Sequence, residues 1–208
     1  MNNATRVTLI VVLSFLLVFF CYKLYLNLTL VEKPGFYDFE KSNIQKKIIG
    51  DKKVLTEKNL GITMQIPKDW EYETYNEGMN FVDPSMNVEY ILEDFRDWKS
   101  GCLISYYVNK GEDTYDYDLN RLSAVKEGDK DFCPREDCEV INFNGMEALK
   151  SIKNYENLKD FNGELKNIYI TILDPKVKRV HTIETFLSTQ VPECQEHLNN
   201  FINNLEIK

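Results

Sequence analysis

The side chains able to do chemistry in this 208-residue chain are few: five cysteines, two histidines, one Ser-x-x-Lys tetrad and a scatter of acids. Cys21 sits inside an apolar N-terminal run, leaving Cys102, Cys133, Cys138 and Cys194 in the polar remainder. An even count in an exported domain permits two disulfides. Cys133-Pro-Arg-Glu-Asp-Cys138 encloses a short, turn-forming acidic loop, so a bridge between Cys133 and Cys138 is expected. A redox motif is disfavoured there, because the spacing is not C-x-x-C and no βαβ pattern surrounds it. Cys102 alternates with Ile104 and Val108 in a strand pattern, and Cys194 recurs with Leu198, Phe201 and Leu205 at helical spacing. Both face a core, which favours two buried free thiols; a Cys102–Cys194 bridge between sheet and helix is the alternative.

Histidine supplies most general bases and many metal ligands, so two of them restrict catalysis sharply. His181 shares a strand face with Ile183 and Leu187 and reads as structural, while His197 lies beside Asn200 and Asn204 on the last helix. Ser123-Ala-Val-Lys126 matches S-x-x-K, in which lysine would activate serine, but the S-D-N and K-T-G partners are absent. Asp116, Asp118 and Asn120, with Glu127 at the twelfth position, imitate a calcium loop. Arg121 occupies the position that needs glycine, however, and Leu119, Leu122 and Val125 fall at helical spacing. A helix with solvated acids is the better reading. No G-x-S-x-G, glycine-rich phosphate loop or H-E-x-x-H occurs. The chain is therefore read as no enzyme, with no cofactor and no metal.

Tyr106, Tyr107, Tyr115 and Tyr117 could line an aromatic binding surface, although such residues in a sheet protein more often cover the core. The net charge of -8 disfavours nucleic acid, whose phosphates need concentrated lysine and arginine.

The elements that must position these residues begin with VTLIVVLSFLLVFFCY from Val7 to Tyr22, which carries no charge. A span needs about 20 residues at a 1.5 Å rise. Residues 7–28 supply them if Lys23 snorkels, with Tyr22 and Tyr25 as interfacial aromatics. Bulky Phe19, Phe20 and Tyr22 occupy the positions where a signal peptidase needs small residues, so the segment is expected to stay as a signal-anchor. Arg6 and the amino terminus favour residues 1–6 in the cytoplasm. Residues 29–52 then read as a charged stalk, with a helix over Phe36 to Ile49, and 53–208 as one extracytoplasmic domain. The expected partners are the membrane, through one span, and a protein.

Within that domain, runs rich in Ile, Val, Tyr, Thr and Phe predict strands over 60–66, 79–82, 89–95, 102–108, 139–143, 148–155, 165–173 and 179–187. Helices are predicted over about 115–126 and from Pro192 onward. The short gaps between late strands, including Asp174-Pro-Lys176, favour antiparallel hairpins. The fold class is α+β, an antiparallel sheet flanked by helices behind an N-terminal transmembrane helix.

Leu60-Gly-Ile-Thr-Met-Gln-Ile-Pro67-Lys-Asp-Trp70, followed by the short run Met79 to Pro84, resembles the opening of the PsbP-like family: strand, Pro-x-x-Trp, short strand. Phe143-Asn-Gly-Met-Glu-Ala148 resembles its hairpin turn, and the ending Phe201-Ile-Asn-Asn-Leu205 resembles its closing helix. The resemblance covers about 54–208 and implies an α/β/α sandwich. The family includes an extrinsic photosystem II subunit, a Ran-binding import factor and bacterial envelope proteins related to DcrB and LpqN. These are mostly binding or accessory proteins without a shared catalytic set, so no functional residue is carried over. The sequence thus leads to a membrane-anchored extracytoplasmic binding or accessory protein. An envelope hydrolase using carboxylates or Ser123 and Lys126, or a structural subunit of a membrane complex, are the alternatives.

Overall fold

The computed structural model describes Phe19, Phe20 and residues 35–208 except 76, 85, 93–94, 134–136, 156–163 and 189–190, with 87–100 described by backbone alone. The chain divides into two units, 1–33 and 34–208. In the first, Phe19 and Phe20 are helical. The span expected over 7–28 otherwise lies outside the described residues, and no helix among the described residues is long and apolar enough to cross a membrane.

The second unit is α+β: mostly antiparallel sheet with two helices. Its large sheet runs β10 (Asp137–Phe143), β11 (Met146–Tyr155), β12 (Leu165–Asp174), β13 (Arg179–Ser188), β9 (Cys102–Lys110), β6 (Gly78–Val82), β5 (Glu71–Tyr75), with β1 (Gly35–Phe36) also paired to β9. Every described pairing is antiparallel, which the short β10–β11 and β12–β13 connections require. A second sheet joins β2 (Ile44–Ile49), β3 (Lys52–Glu57) and β4 (Ile62–Pro67), and β7 (Asn87–Leu92) pairs with β8 (Phe95–Ser100).

Side chains alternate across each strand, so the register assigns the faces of the large sheet. Ile104, Tyr106, Val108, His181, Ile183, Ile170 and Ile172 share one face. It is covered by Leu55, Ile62 and Met64 of the second sheet and by Leu198 and Phe201 of helix α2 (Glu193–Asn203), forming the main core. On the other face Leu149, Leu173 and Val180 pack under Tyr115 and Leu122 of helix α1 (Glu112–Lys126). The two helices therefore lie on opposite faces.

One expectation fails in the region assigned to the stalk. Within 29–52, the segment from residue 35 belongs to the folded unit, and the helix expected over 36–49 is absent: β1, a 3-10 turn at Lys41–Asn43 and β2 replace it. The physical reason is long-range pairing. Phe39 is buried in the main core, Tyr37 Oη donates to the buried Glu57 carboxylate, and β2 pairs with β3 through six residues around Gly50-Asp51. Gly50 adopts φ +61°, which a tight hairpin turn needs and glycine accepts without a Cβ clash.

Candidate functional site

A hollow lies between α2 and β4. On α2 the buried stripe Cys194, Leu198 and Phe201 turns inward, which sets Glu196, His197 and Asn200, with Asn204 just past the helix end, along its margin. Facing them, β4 contributes Gln65, Ile66 and Pro67. Two turns complete the wall. Lys68 N donates to Asp51 O at 2.8 Å, tying the β2–β3 turn to the Pro67-x-x-Trp70 turn, and Trp70 N donates to Pro67 O at 3.2 Å. The Lys53 ammonium caps the Trp70 carbonyl.

The resulting cavity has a volume of about 200 Å3. Ile66, Trp70, Ile104 and Phe201 form a buried apolar floor, and Asp51, Lys52, Gln65, Glu196, His197, Asn200 and Asn204 form a polar rim. The indole of Trp70, 2% exposed, meets the His197 ring edge-on with centroids 5.2 Å apart. Among the described residues no hydrogen bond engages the His197 ring nitrogens. Drug-sized ligands occupy sites of about 300–1,000 Å3, whereas an apolar cavity of about 150 Å3 accepts benzene. A single ring or aliphatic side chain therefore matches the space, and a nucleotide or sugar chain exceeds it.

Both cysteine pairs are joined. Cys102 and Cys194 form a disulfide with Cα atoms 5.5 Å apart, and Cys133 pairs with Cys138 at 5.8 Å. The reading of Cys102 and Cys194 as free thiols is thus replaced by its alternative: both side chains enter the same core from facing elements. The bridge ties α2, and with it His197, to β9. Asp83 Oδ2 lies 3.1 Å from Cys102 Sγ, and ligand-type atoms of Asp83, Cys102 and Cys194 lie within 4.8 Å of one another. With the sulfurs bonded to each other, no thiolate is left there to hold a cation.

The four tyrosines proposed as an aromatic surface do not converge. Tyr106 is fully buried in the main core, and its hydroxyl lies 2.7 Å from His181 Nδ1. Tyr107 points to the opposite face, donates to Tyr169 Oη at 3.0 Å and packs edge-on against Phe36. Tyr115 is buried on the sheet-facing side of α1, and Tyr117 is 62% exposed beside Arg121. Burial pushes the Tyr107 phenol well above its ordinary pKa, with the neighbouring Tyr169 adding to the effect. Ser123 Oγ donates to Leu119 O at 2.8 Å along its own helix, while Lys126 pairs with Glu147, so serine and lysine are engaged elsewhere. Asp116, Asp118 and Asn120 lie within α1, and Asp118 pairs with Arg121 at 2.6 Å; the segment forms no ion-binding loop. Sequence reading had placed His197 beside Asn200 and Asn204 but missed Asp51, Lys52 and Gln65, which only the β2–β3–β4 sheet brings across.

No family model matches this sequence, and no curated protein matches it. A crystal structure of a protein from Bacteroides thetaiotaomicron VPI-5482 is similar at a TM-score of 0.44 and 14% identity, over 71% of this chain and 45% of that one. A likeness at that level carries no argument about family or activity. The candidate site therefore rests on its own geometry: an apolar, side-chain-sized cavity with a polar rim.

Proposed function

We propose that this chain is a membrane-anchored, extracytoplasmic binding or accessory protein, that its domain is of the PsbP-like sandwich type behind an anchor at 7–28, and that the cavity between α2 and β4 holds its ligand. The observation that carries the reading is the cavity itself. Its floor of Ile66, Trp70, Ile104 and Phe201 gains by excluding water, and its ring of amides and charges is available to orient what enters. Two disulfides support an oxidising compartment, and helices on both sheet faces support the sandwich.

Ligand-observed NMR on the full-length chain in detergent micelles tests the site. Small aromatic and branched aliphatic alcohols should bind the native chain and lose binding in Asn200→Trp, whose indole would fill the mouth. Equal binding to both proteins, or none to either, would overturn the assignment.

A further inference from the structure

The edge of β4 indicates what kind of ligand the cavity takes, granted that the cavity is the ligand site. Thr63 and Glu206 exchange both backbone hydrogen bonds, Thr63 N to Glu206 O at 3.0 Å and Glu206 N to Thr63 O at 2.9 Å. In an antiparallel ladder the next residue presenting N–H and C=O to the same edge is two positions on, which is Gln65. The residue that would oppose it is Asn204. Asn204 has already turned into the helix cap: its N–H donates to Asn200 O at 3.2 Å and Phe201 O at 3.3 Å. The ladder therefore stops after one pair, and no backbone partner meets the Gln65 edge among the described residues. Gln65 and Asn204 both line the cavity, so the open rung lies at its wall. One position beyond the next residue, Pro67 has no N–H to offer, which limits any added strand to this short stretch.

The geometry points to an extended peptide segment of a partner protein as the ligand, taking the two backbone hydrogen bonds of Gln65 and inserting one leucine- or phenylalanine-sized side chain over Trp70 and Phe201. This is strand addition at a sheet edge, in which backbone pairing supplies affinity and one pocket supplies selectivity. The cavity admits a single such side chain, and the Asn200 carboxamide suits a flanking peptide group, while Asn204 Nδ2 already donates to Asn200 O at 2.7 Å and leaves its Oδ1 as an acceptor. Asp51 and Glu196 outnumber Lys52 on the rim, and the chain carries a net charge of -8, so basic flanks are preferred to acidic ones.

Calorimetry on the full-length chain in detergent micelles tests this with end-capped pentapeptides: alanine with a central phenylalanine, leucine, glycine or N-methylphenylalanine, and the phenylalanine peptide with lysine or glutamate flanks. Phenethyl alcohol serves as a side-chain-only probe. The phenylalanine and leucine peptides should bind, with glycine and N-methylphenylalanine each at least about tenfold weaker, the scale of one lost ladder bond or one unburied side chain. Lysine flanks should bind more tightly than glutamate flanks at low salt. In the protein, Gln65→Pro deletes the edge N–H without touching the β3 ladder and should weaken the peptide about tenfold relative to Gln65→Ala, which keeps it. If phenethyl alcohol binds while N-methylation and Gln65→Pro change nothing, the cavity is a ligand site but the peptide inference is wrong. If neither alcohol nor peptides bind, the assignment of the site falls as well.

Discussion

Acid should destabilise this fold through His181. Its ring lies in the main core, 2% exposed, with Nδ1 2.7 Å from the Tyr106 hydroxyl. Burial holds the Tyr106 phenol far above its ordinary pKa, with Asp174 adding to the effect, so the tyrosine keeps its proton and donates it. Nδ1 then accepts and Nε2 carries the histidine proton, with no hydrogen-bond partner for Nε2 among the described residues. A second proton would have to be bought against desolvation. Burial lowers the folded pKa to about 4; Asp174 opposes the shift and Arg179 reinforces it. In the unfolded chain the imidazole titrates near 6.5. Above pH 6.5 both states are neutral and stability does not depend on this group. Below that pH only the unfolded state takes up the proton, so stability falls until the folded state also titrates near pH 4. At 1.36 kcal/mol per unit, the separation amounts to about 3 kcal/mol at full effect and about 2–3 kcal/mol between pH 7.5 and 4.5. Urea unfolding of native chain and His181→Gln across that range measures it, since glutamine can still accept from Tyr106. Whatever the offset between the two at pH 7.5, the native chain should lose that much more stability than the variant by pH 4.5. Parallel curves would refute the reasoning.

The disulfides should differ in weight. The chain-entropy relation gives about 4–5 kcal/mol for the Cys102–Cys194 bridge, with a sequence separation of 92, and about 2 kcal/mol for Cys133–Cys138, with 5; paired alanine variants compared by urea midpoint measure both. At Gly78 an added Cβ would lie 2.5 Å from Tyr106 O and 2.9 Å from Tyr107 Cβ, so Gly78→Ala should cost about 1–3 kcal/mol in the same assay. The chain should stay in the membrane pellet on alkaline carbonate extraction and become extractable when 7–28 is removed; release of the intact chain would count against the anchor.

Much of the strand pattern was readable because buried faces impose period-two alternation: Cys102 to Val108 and Arg179 to Leu187 match β9 and β13 closely. The last helix was readable from its Cys194, Leu198 and Phe201 stripe. β2 was not, because Ile44-Gln-Lys-Lys-Ile-Ile49 alternates poorly and lies mostly exposed; pairing with β3, which no local signal encodes, makes it a strand. The Cys102–Cys194 bridge was readable only as an alternative, because periodicity shows that two residues face inward and not that they meet. The cavity was half legible. His197, Asn200 and Asn204 follow helical spacing beside an apolar stripe, but Asp51, Lys52 and Gln65 arrive through a separate sheet, and Trp70 through a turn tied to Asp51.

The central claim is that the α2–β4 cavity contacts a partner in the cell. Site-specific photocrosslinking tests it most directly, with a benzophenone amino acid at Asn200 on the rim and, as a control, at exposed Val177 on the β12–β13 turn. A discrete adduct from position 200, absent from 177, is the predicted result. No adduct at 200, or the same adducts from both positions, would contradict it.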